Sequence, residues 1–205
     1  MIEQYAPLPT TGFYFDVGGV LIPDKFGYDA RAVFAKFAEH YNWLDPDDAC
    51  KIYARLQPGL DSGDVDLLRF CRAIHLEQQT FEREWLALHP VDSKVLNAVE
   101  QLVDRGYPVG LATNFCKRLL DLLLKSNPVL SRLSICCSSD IRRVKPSREF
   151  FNHAHQIIGT PNVIFVDDRA VNIAAARDFG WTAIQADDGW LSRFERTYLR
   201  VDCPI

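Results

Sequence analysis

The sequence lacks the features that mark nucleic-acid-binding and membrane-spanning proteins. Its formal net charge is −4 and no basic run occurs along the chain, so no charge pattern favours binding to nucleic acid. No apolar run approaches the ~18 residues that a membrane-spanning helix needs. The first residues, MIEQYAPLPTTG, have neither the charged nor the apolar region of a signal peptide. We therefore expect a cytoplasmic protein whose partners include neither nucleic acid nor membrane.

Cysteine pairs with the spacing of a metal site or a redox motif are also absent. None of the six cysteines belongs to a CxxC motif, and two of them are adjacent within an apolar run. We therefore expect buried, reduced thiols. The six are Cys50, Cys71, Cys116, Cys136, Cys137 and Cys203.

What the sequence does contain is an alternation of short apolar runs and longer amphipathic segments. The 205 residues are 48% hydrophobic and 24% charged, which is typical of a globular chain with one substantial core. The alternation predicts an α/β fold, a Rossmann-like parallel sheet flanked by helices. The expected strands are FYFDV (13–17), PVGLAT (108–113), LSICCS (133–138), VIFVD (163–167) and TAIQA (182–186). Three of the intervening helices are expected to end at Gly106, Gly159 and Gly180.

Residues from about 24 to 90 interrupt this alternation. Four segments in this range have helical periodicity, and no convincing strand separates them. We expect a small all-helical cap at 23–90, inserted after the first strand, and an α/β core formed by 1–22 and 91–205. Such a cap would cover the carboxyl ends of the strands, where open α/β sheets bind ligands. An extra helical layer without a gating role is the alternative. The stretch LQPGLDSGD (56–64) is expected to form a turn in the cap.

Polar side chains suited to catalysis follow four of the apolar segments. Because parallel strands end at one edge of a sheet, we expect these side chains to lie close together. They are Asp16 in FDVGGVL, Thr113 and Asn114 in VGLATNF, Lys145 in VKPSREF, and Asp167, Asp168 and Asn172 in VIFVDDRAVN.

This set of side chains predicts a phosphoryl-transfer site. Neighbouring carboxylates repel one another, so Asp16, Asp167 and Asp168 at one edge imply a bound cation. Carboxylate and carbonyl oxygens suit Mg²⁺, which commonly combines one or two protein carboxylates with a substrate phosphate. Lys145 and Thr113 would hold the phosphoryl oxygens. Asp16 would then be the nucleophile that forms an aspartyl-phosphate.

In order and spacing, these motifs resemble those of the haloacid dehalogenase-like (HAD) hydrolase superfamily, in the branch with a small helical cap after the first motif. The resemblance runs from Tyr14 to about Ala186. It implies a hydrolase that uses Mg²⁺ and a small phosphorylated substrate. It implies that Asp16 is the nucleophile and also a metal ligand, together with Asp168 and the carbonyl of Gly18. It places Thr113 and Asn114 at the phosphoryl group, with Lys145 as the stabilising cation. Asp167 and Asn172 would orient Lys145 or the metal and its waters.

Gly18 departs from the pattern of most phosphatases in this family. They have a second aspartate at this position, which acts as general acid and then as general base. Such assistance contributes about 10²–10⁴-fold to the rate. A substrate whose leaving group needs little protonation, such as an anomeric sugar phosphate, an acyl phosphate or an aryl phosphate, would explain the glycine. A water or another acid, with Asp24 nearest in sequence, would also explain it, and so would a different chemistry.

The expected function is therefore a Mg²⁺-dependent phosphatase that acts on a small metabolite resembling a sugar phosphate. Two alternatives remain open. In a 2-haloacid dehalogenase, Asp16 would attack carbon and displace halide, which leaves without a proton; that reaction needs no metal. In a HAD-fold binding protein, the metal site would persist without turnover. The sequence does not indicate an oligomeric state.

Overall fold

A parallel β-sheet with β1 at its centre organises the molecule. The computed structural model describes residues 10–24 and 29–199, and within them five strands pair in the order β3–β2–β1–β4–β5. All pairs are parallel. This arrangement confirms the predicted α/β fold, and each strand lies within two residues of its expected position. The strands are β1 Thr11–Phe15, β2 Val109–Thr113, β3 Ser134–Cys137, β4 Asn162–Asp167 and β5 Thr182–Gln185.

Helices cover both faces of the sheet. Because successive side chains of a strand point to opposite faces, Phe13 and Phe15 of β1 enter one apolar cluster, whereas Tyr14 enters the other. The helices are α1 Ala30–Ala38, α2 Pro46–Ser62, α3 Leu67–Ala73, α4 Gln78–Leu88, α5 Ser93–Asp104, α6 Lys117–Ser126, α7 Ser138–Ile141, α8 Arg148–Ile158, α9 Ala170–Phe179 and α10 Trp190–Phe194.

Left-handed glycines end three of the helices as predicted. Gly159 after α8 has a φ of 67° and Gly180 after α9 has a φ of 106°. Gly106, with a φ of 80°, lies one residue beyond Arg105, the C-cap of α5. A side chain at these positions would be strained by the positive φ.

The four helices α1–α4 form a layer with an apolar centre of their own. Phe34 and Phe37 of α1 pack with Phe70 of α3 and Phe81 of α4. The layer is joined to α6 by a two-point ion pair between Arg118 and Glu82, at 2.7 and 2.8 Å. These helices lie where the sequence predicts a cap, and the boundaries of that cap stay a prediction.

The predicted turn over 56–64 is confirmed only at the end of that stretch. Helix α2 continues through Pro58 and Gly59 to Ser62, and the chain turns only at Gly63, whose φ is 77°. Gly59 is required for packing: a Cβ there would lie 2.5 Å from Cγ2 of Val65, and its carbonyl accepts a hydrogen bond from Val65 N at 3.0 Å. Pro58 and Gly59 therefore lie within the helix and do not end it.

The C-terminal part of the described chain belongs to the core. Phe194 of α10 packs edge-on against Phe13 and Phe15, with ring centroids 5.8 and 5.5 Å apart. Among the described cysteines no disulfide forms; Cys71, Cys136 and Cys137 are buried, whereas Cys50 and Cys116 are half-buried. Cys203 lies outside the described residues. No helix in the described part of the chain is long and apolar enough to cross a membrane.

Candidate active site

The ends of three neighbouring strands bring the predicted side chains together. Thr113 ends β2 and Asp167 ends β4, and β1 lies between them, followed directly by Asp16. The backbone N–H of Asp16 donates to the carbonyl of Val166 at 2.9 Å, which continues the pairing between β1 and β4 by one residue. The chain then turns sharply at Gly19, where φ is 70°. The carboxylate of Asp16 is therefore held at the mouth of the sheet.

Lys145 lies at the centre of these strand ends, and its side chain is fully buried. Its ammonium group contacts Asp16 Oδ2 at 2.9 Å, Asp167 Oδ2 at 2.6 Å and the carbonyl of Ala112 at 2.9 Å. Burial alone would lower the pKa of Lys145, but the two carboxylates outweigh that effect and raise it. The lysine is therefore a fixed positive charge. It lies three residues ahead of α8, which begins at Arg148 after the N-cap Ser147.

Asn114 holds the backbone of Lys145 in place. Its Oδ1 accepts a hydrogen bond from Lys145 N at 2.7 Å, and its Nδ2 donates to the carbonyl of Lys145 at 2.9 Å. Both polar atoms of the amide are thus bonded to the lysine backbone, while the residue also lines the adjoining cavity. The geometry gives Asn114 a positioning role in addition to the predicted place beside the phosphoryl group.

Asp167 is held from three sides. Asn172 Nδ2 donates to both of its carboxylate oxygens, at 3.0 and 3.1 Å, and Arg169 N donates to Oδ1 at 2.8 Å. Lys145 is bonded to Oδ2. Asn172 thus holds Asp167, and Asp167 holds the ammonium group of Lys145; the catalytic roles of Asp167 and Asn172 stay a prediction. A direct bond from Asp167 to a metal stays a prediction.

The three carboxylates form a cluster suited to a divalent cation. Oxygens of Asp16, Asp167 and Asp168 lie within 4.8 Å of one another. Burial raises the pKa of Asp16 to about 7 although Lys145 lowers it, and the charge of Asp167 raises it further. Burial also raises the pKa of Asp168. A divalent cation would offset this cost, and an all-oxygen donor set fits Mg²⁺.

Thr113 presents a buried hydroxyl that the described residues do not satisfy. Its Oγ1 is inaccessible to solvent and no described residue bonds to it with good geometry, although its nearness to Asp16 lowers the pKa of that carboxyl. An unpaired buried hydroxyl costs about 1–3 kcal/mol. Such a group is free to donate to a ligand bound against Asp16.

A cavity of about 770 Å³ opens above this cluster and beneath the layer of helices α1–α4. Asp16, Gly18, Lys145 and Asp168 are among the residues at its polar end. The opposite walls are largely apolar, with aromatic side chains from both the helical layer and the sheet side. They include Val33, Phe34, Tyr53, Leu60, Trp85 and Phe115.

Asp61, which lines this cavity, and its hydrogen-bond partner Ser138 were not identified from the sequence. Asp61 lines the cavity, and the fully buried Ser138 donates a hydrogen bond to its backbone carbonyl. The available signal for Asp61 was its spacing of four residues from Gln57, which places both on one face of a helix. That signal has meaning only if 56–64 is helical, and the sequence was interpreted as a turn there.

Known proteins resemble this chain in sequence pattern and in fold. A family model described as haloacid dehalogenase-like hydrolase matches residues 11–180. A HAD-family enzyme from Bacteroides thetaiotaomicron is 18% identical, with a TM-score of 0.71 over 90% of this chain and 98% of that one. A structure described as a predicted HAD-like family hydrolase from Porphyromonas gingivalis is 23% identical, with a TM-score of 0.68 over 94% and 98% of the two chains.

A HAD phosphatase from Thermococcus onnurineus is 20% identical, with a TM-score of 0.65 over 91% of this chain and 97% of that one. A structure described as a dehalogenase is 18% identical, with a TM-score of 0.64 over 93% and 98% of the two chains. A comparison with curated proteins gave no match. At these identities the structures establish the fold, and the family model covers most of the sequence. The chain belongs to the haloacid dehalogenase-like hydrolase family.

Proposed function

We propose that the protein is a Mg²⁺-dependent phosphatase that acts on a small phosphorylated metabolite through phosphorylation of Asp16. The carboxylate cluster of Asp16, Asp167 and Asp168 around Lys145 carries this proposal. A cluster of this kind needs a cation, and a bound cation would attract a phosphate dianion. Displacement of halide from a haloacid needs no metal, and the same carboxylates would repel the carboxylate of that substrate.

The residues of the site suit the two halves of the reaction. Asp16 attacks phosphorus while the bond to the leaving oxygen breaks, and water then hydrolyses the aspartyl-phosphate to release inorganic phosphate. Lys145 holds the Asp16 carboxylate at 2.9 Å and neutralises charge at the phosphoryl oxygens. The hydroxyl of Thr113, to which no described residue bonds with good geometry, donates to one of these oxygens. When bound, Mg²⁺ would be held by Asp16 and Asp168, with the Gly18 carbonyl as a further candidate ligand, and would supply charge neutralisation.

Similar structures give this proposal additional support. The Bacteroides thetaiotaomicron enzyme was crystallised with magnesium and inorganic phosphate. The similar structure from Thermococcus onnurineus is described as a phosphatase. The dehalogenase of the same fold makes halide release the control reaction that any assay must include.

The cavity restricts the organic part of the substrate. Its volume of about 770 Å³ suits a small molecule, and Phe34, Tyr53, Trp85 and Phe115 are among its walls. Such walls favour a leaving group with an apolar face over a flexible hydroxylated chain. The substrate panel therefore pairs the sugar phosphates that the sequence favours with aryl phosphates of similar size.

Turnover of p-nitrophenyl phosphate with Mg²⁺ tests the proposal, beside chelated enzyme and an Asp16→Asn variant. Asp178→Asn is the matched control, because it makes the same change at an exposed position. We expect phosphate release by the wild type and the control, and its loss in the other two samples. Absence of release across the panel, with Mg²⁺ still raising the thermal midpoint, would contradict the proposal. Halide release from 2-haloacids would then identify a dehalogenase, and its absence would favour a binding protein.

A further inference from the structure

The space beside Asp16 that a general acid would occupy is open. A Cβ built on Gly18 meets no described atom within 4 Å, and Gly18 lines the cavity. Gly18 is not among the glycines with a positive φ, so its backbone accepts a side chain. The glycine is therefore not required by the turn. Its effect is to leave room at the polar end of the cavity, where a leaving group and a side chain from elsewhere can meet.

Asp61 reaches the same cavity from the helical layer. It lies one residue before the end of α2 and is half-buried. Its Oδ2 accepts a hydrogen bond from Gln57 Nε2 at 2.7 Å, and no described residue bonds to Oδ1. Asp61 makes no hydrogen bond to Asp16, although both line one cavity. One oxygen of its carboxyl group is therefore available to a ligand that lies between the two residues.

The end of α2 that contains Asp61 is fixed to the catalytic edge of the sheet. The buried hydroxyl of Ser138 donates to the carbonyl of Asp61 and accepts from the N–H of Phe115 at 3.1 Å. Phe115 follows Thr113 and Asn114, so one side chain joins the predicted phosphate-binding loop to α2. Gly63 packs closely beside it, since a Cβ there would lie 2.2 Å from the carbonyl oxygen of Ser139. Asp61 is thus held in a defined place relative to the strand ends.

The surroundings of Asp61 allow its carboxyl group to be protonated or ionised near neutral pH. Burial raises its pKa to about 7, while the charge of Arg169, the hydrogen bond from Gln57 and the charge of Lys145 lower it. Burial raises the pKa of both Tyr53 and Cys116, and the charge of Asp61 raises each further, so both side chains face Asp61. A group that exchanges its proton near neutral pH is suited to act first as an acid and then as a base.

We propose that Asp61 is the general acid–base residue of this enzyme and takes the role for which Gly18 has no side chain. The inference rests on the proposed phosphatase function. As Asp16 attacks phosphorus, the electron pair of the breaking P–O bond goes to the leaving oxygen, which takes the proton of Asp61. In the second half, ionised Asp61 takes a proton from water as the water oxygen attacks phosphorus and releases Asp16. The net reaction converts ester and water to alcohol and phosphate.

A comparison of two substrates tests this role. p-Nitrophenolate leaves without a proton, whereas the alkoxide of 2-phenylethyl phosphate requires one. We expect Asp61→Asn to lower kcat/KM for the alkyl ester by about 10²-fold or more and to lower it for the aryl ester by less than about 10-fold. The effect is a ratio measured on one folded sample, so a loss of folded protein cannot produce it. Asp64→Asn, the same change at an exposed position three residues away, is expected to leave both values unchanged.

Two further readouts separate catalysis from structure. Gly18→Asp in the Asp61→Asn background is expected to recover at least about 10-fold in kcat/KM for the alkyl ester, because it places a carboxyl group in the open space. In the wild type, kcat/KM for the alkyl ester is expected to fall as pH rises above about 7. This decline is expected to be absent in Asp61→Asn.

The outcomes distinguish the inference from the function on which it rests. Normal wild-type turnover with an equal loss on both substrates in Asp61→Asn would overturn the inference alone. A loss confined to the alkyl ester in Asp24→Asn, with Asp61→Asn unaffected, would overturn it as well and would assign the role to Asp24, which also lines the cavity. Absence of phosphate release from both substrates by the wild type would overturn the phosphatase proposal and the inference together.

Discussion

Lys145 and Asp167 form an ion pair in which neither side chain is exposed to solvent, with 2.6 Å between Nζ and Oδ2. The second contact of Lys145, with Asp16 at 2.9 Å, joins the predicted nucleophile to this pair. Burial removes the hydration of both charges, and this cost offsets much of the attraction between them. The pair is therefore weak evidence for added stability. The pair instead fixes the positive charge of Lys145 beside Asp16. A carboxylate that attacks a negatively charged phosphoryl group requires such a charge.

Removal of Lys145 should be costly to folding because it leaves Asp16 and Asp167 buried without their cation. We expect Lys145→Met to lower the free energy of unfolding by about 3–5 kcal/mol at pH 8 in the presence of a chelator. Lys36→Met is the control, since Lys36 pairs with Glu39 on the surface and exposed pairs contribute about 0–1 kcal/mol. Urea denaturation measures both values. Equal losses in the two variants would contradict the ion-pair account.

Thr113→Val should separate ligand binding from stability. The variant removes a buried hydroxyl that lacks a bonding partner of good geometry among the described residues. We therefore expect the free energy of unfolding to change by less than about 1 kcal/mol or to increase. Phosphate release is expected to fall by about 10- to 100-fold, and Thr113→Ser is expected to retain it. A large loss of stability in Thr113→Val would indicate that the hydroxyl has a structural partner and would contradict its assignment to the ligand.

Gly63→Ala should destabilise the end of α2 by more than the positive φ alone would cost. Gly63 and Gly106 have φ values of 77° and 80°, but only Gly63 meets a close neighbour, the carbonyl oxygen of Ser139. Gly106→Ala is therefore the matched control, expected to cost about 1 kcal/mol. We expect Gly63→Ala to cost more and to lower turnover, since the strain is next to Asp61. Equal changes in the free energy of unfolding in the two variants, with unchanged turnover in Gly63→Ala, would contradict the close contact with Ser139.

The buried carboxyl group of Asp16 should make metal-free protein less stable as pH rises. Its pKa is raised by burial to about 7, above the usual value of an unfolded aspartate, so between about pH 4 and 7 the folded state binds more protons than the unfolded state. Stability must then fall with rising pH across this window and stay low above it. In chelator, we expect the wild type to lose about 2 kcal/mol more than Asp16→Asn between pH 5 and 8. Parallel pH profiles would contradict this environment for Asp16.

Much of the fold was predictable from the sequence because a buried parallel sheet has a simple pattern. Each strand is a short apolar run, and the polar residues after the runs mark its carboxyl end. Thr113 and Asp167 are in fact the last residues of β2 and β4. The meeting of side chains far apart in sequence therefore followed from the parallel arrangement of the strands. Left-handed glycines such as Gly159 marked helix ends for a local reason, the steric cost of a Cβ at positive φ.

The contents of the helical layer were not predictable in the same way. Pro58 and Gly59 are turn-forming residues by local preference, yet tertiary packing keeps them within α2. Asp61 and Ser138 are 77 residues apart, and no periodicity indicates that one accepts a hydrogen bond from the other. Contacts of this kind depend on how the layer packs on the sheet, which a one-dimensional pattern does not specify. The walls that the helical layer gives to the cavity depend on such contacts.

Detection of a phosphoryl group on Asp16 is the most direct test of the central claim. Enzyme with Mg²⁺ and p-nitrophenyl phosphate would be quenched in acid during turnover, digested, and examined by mass spectrometry for the peptide that contains FDVGGVL. We predict the mass increase of one phosphoryl group on that peptide in the wild type, located at Asp16, and its absence in Asp16→Asn. Steady release of inorganic phosphate by the wild type, with no phosphoryl group on Asp16 at any quench time, would contradict the account.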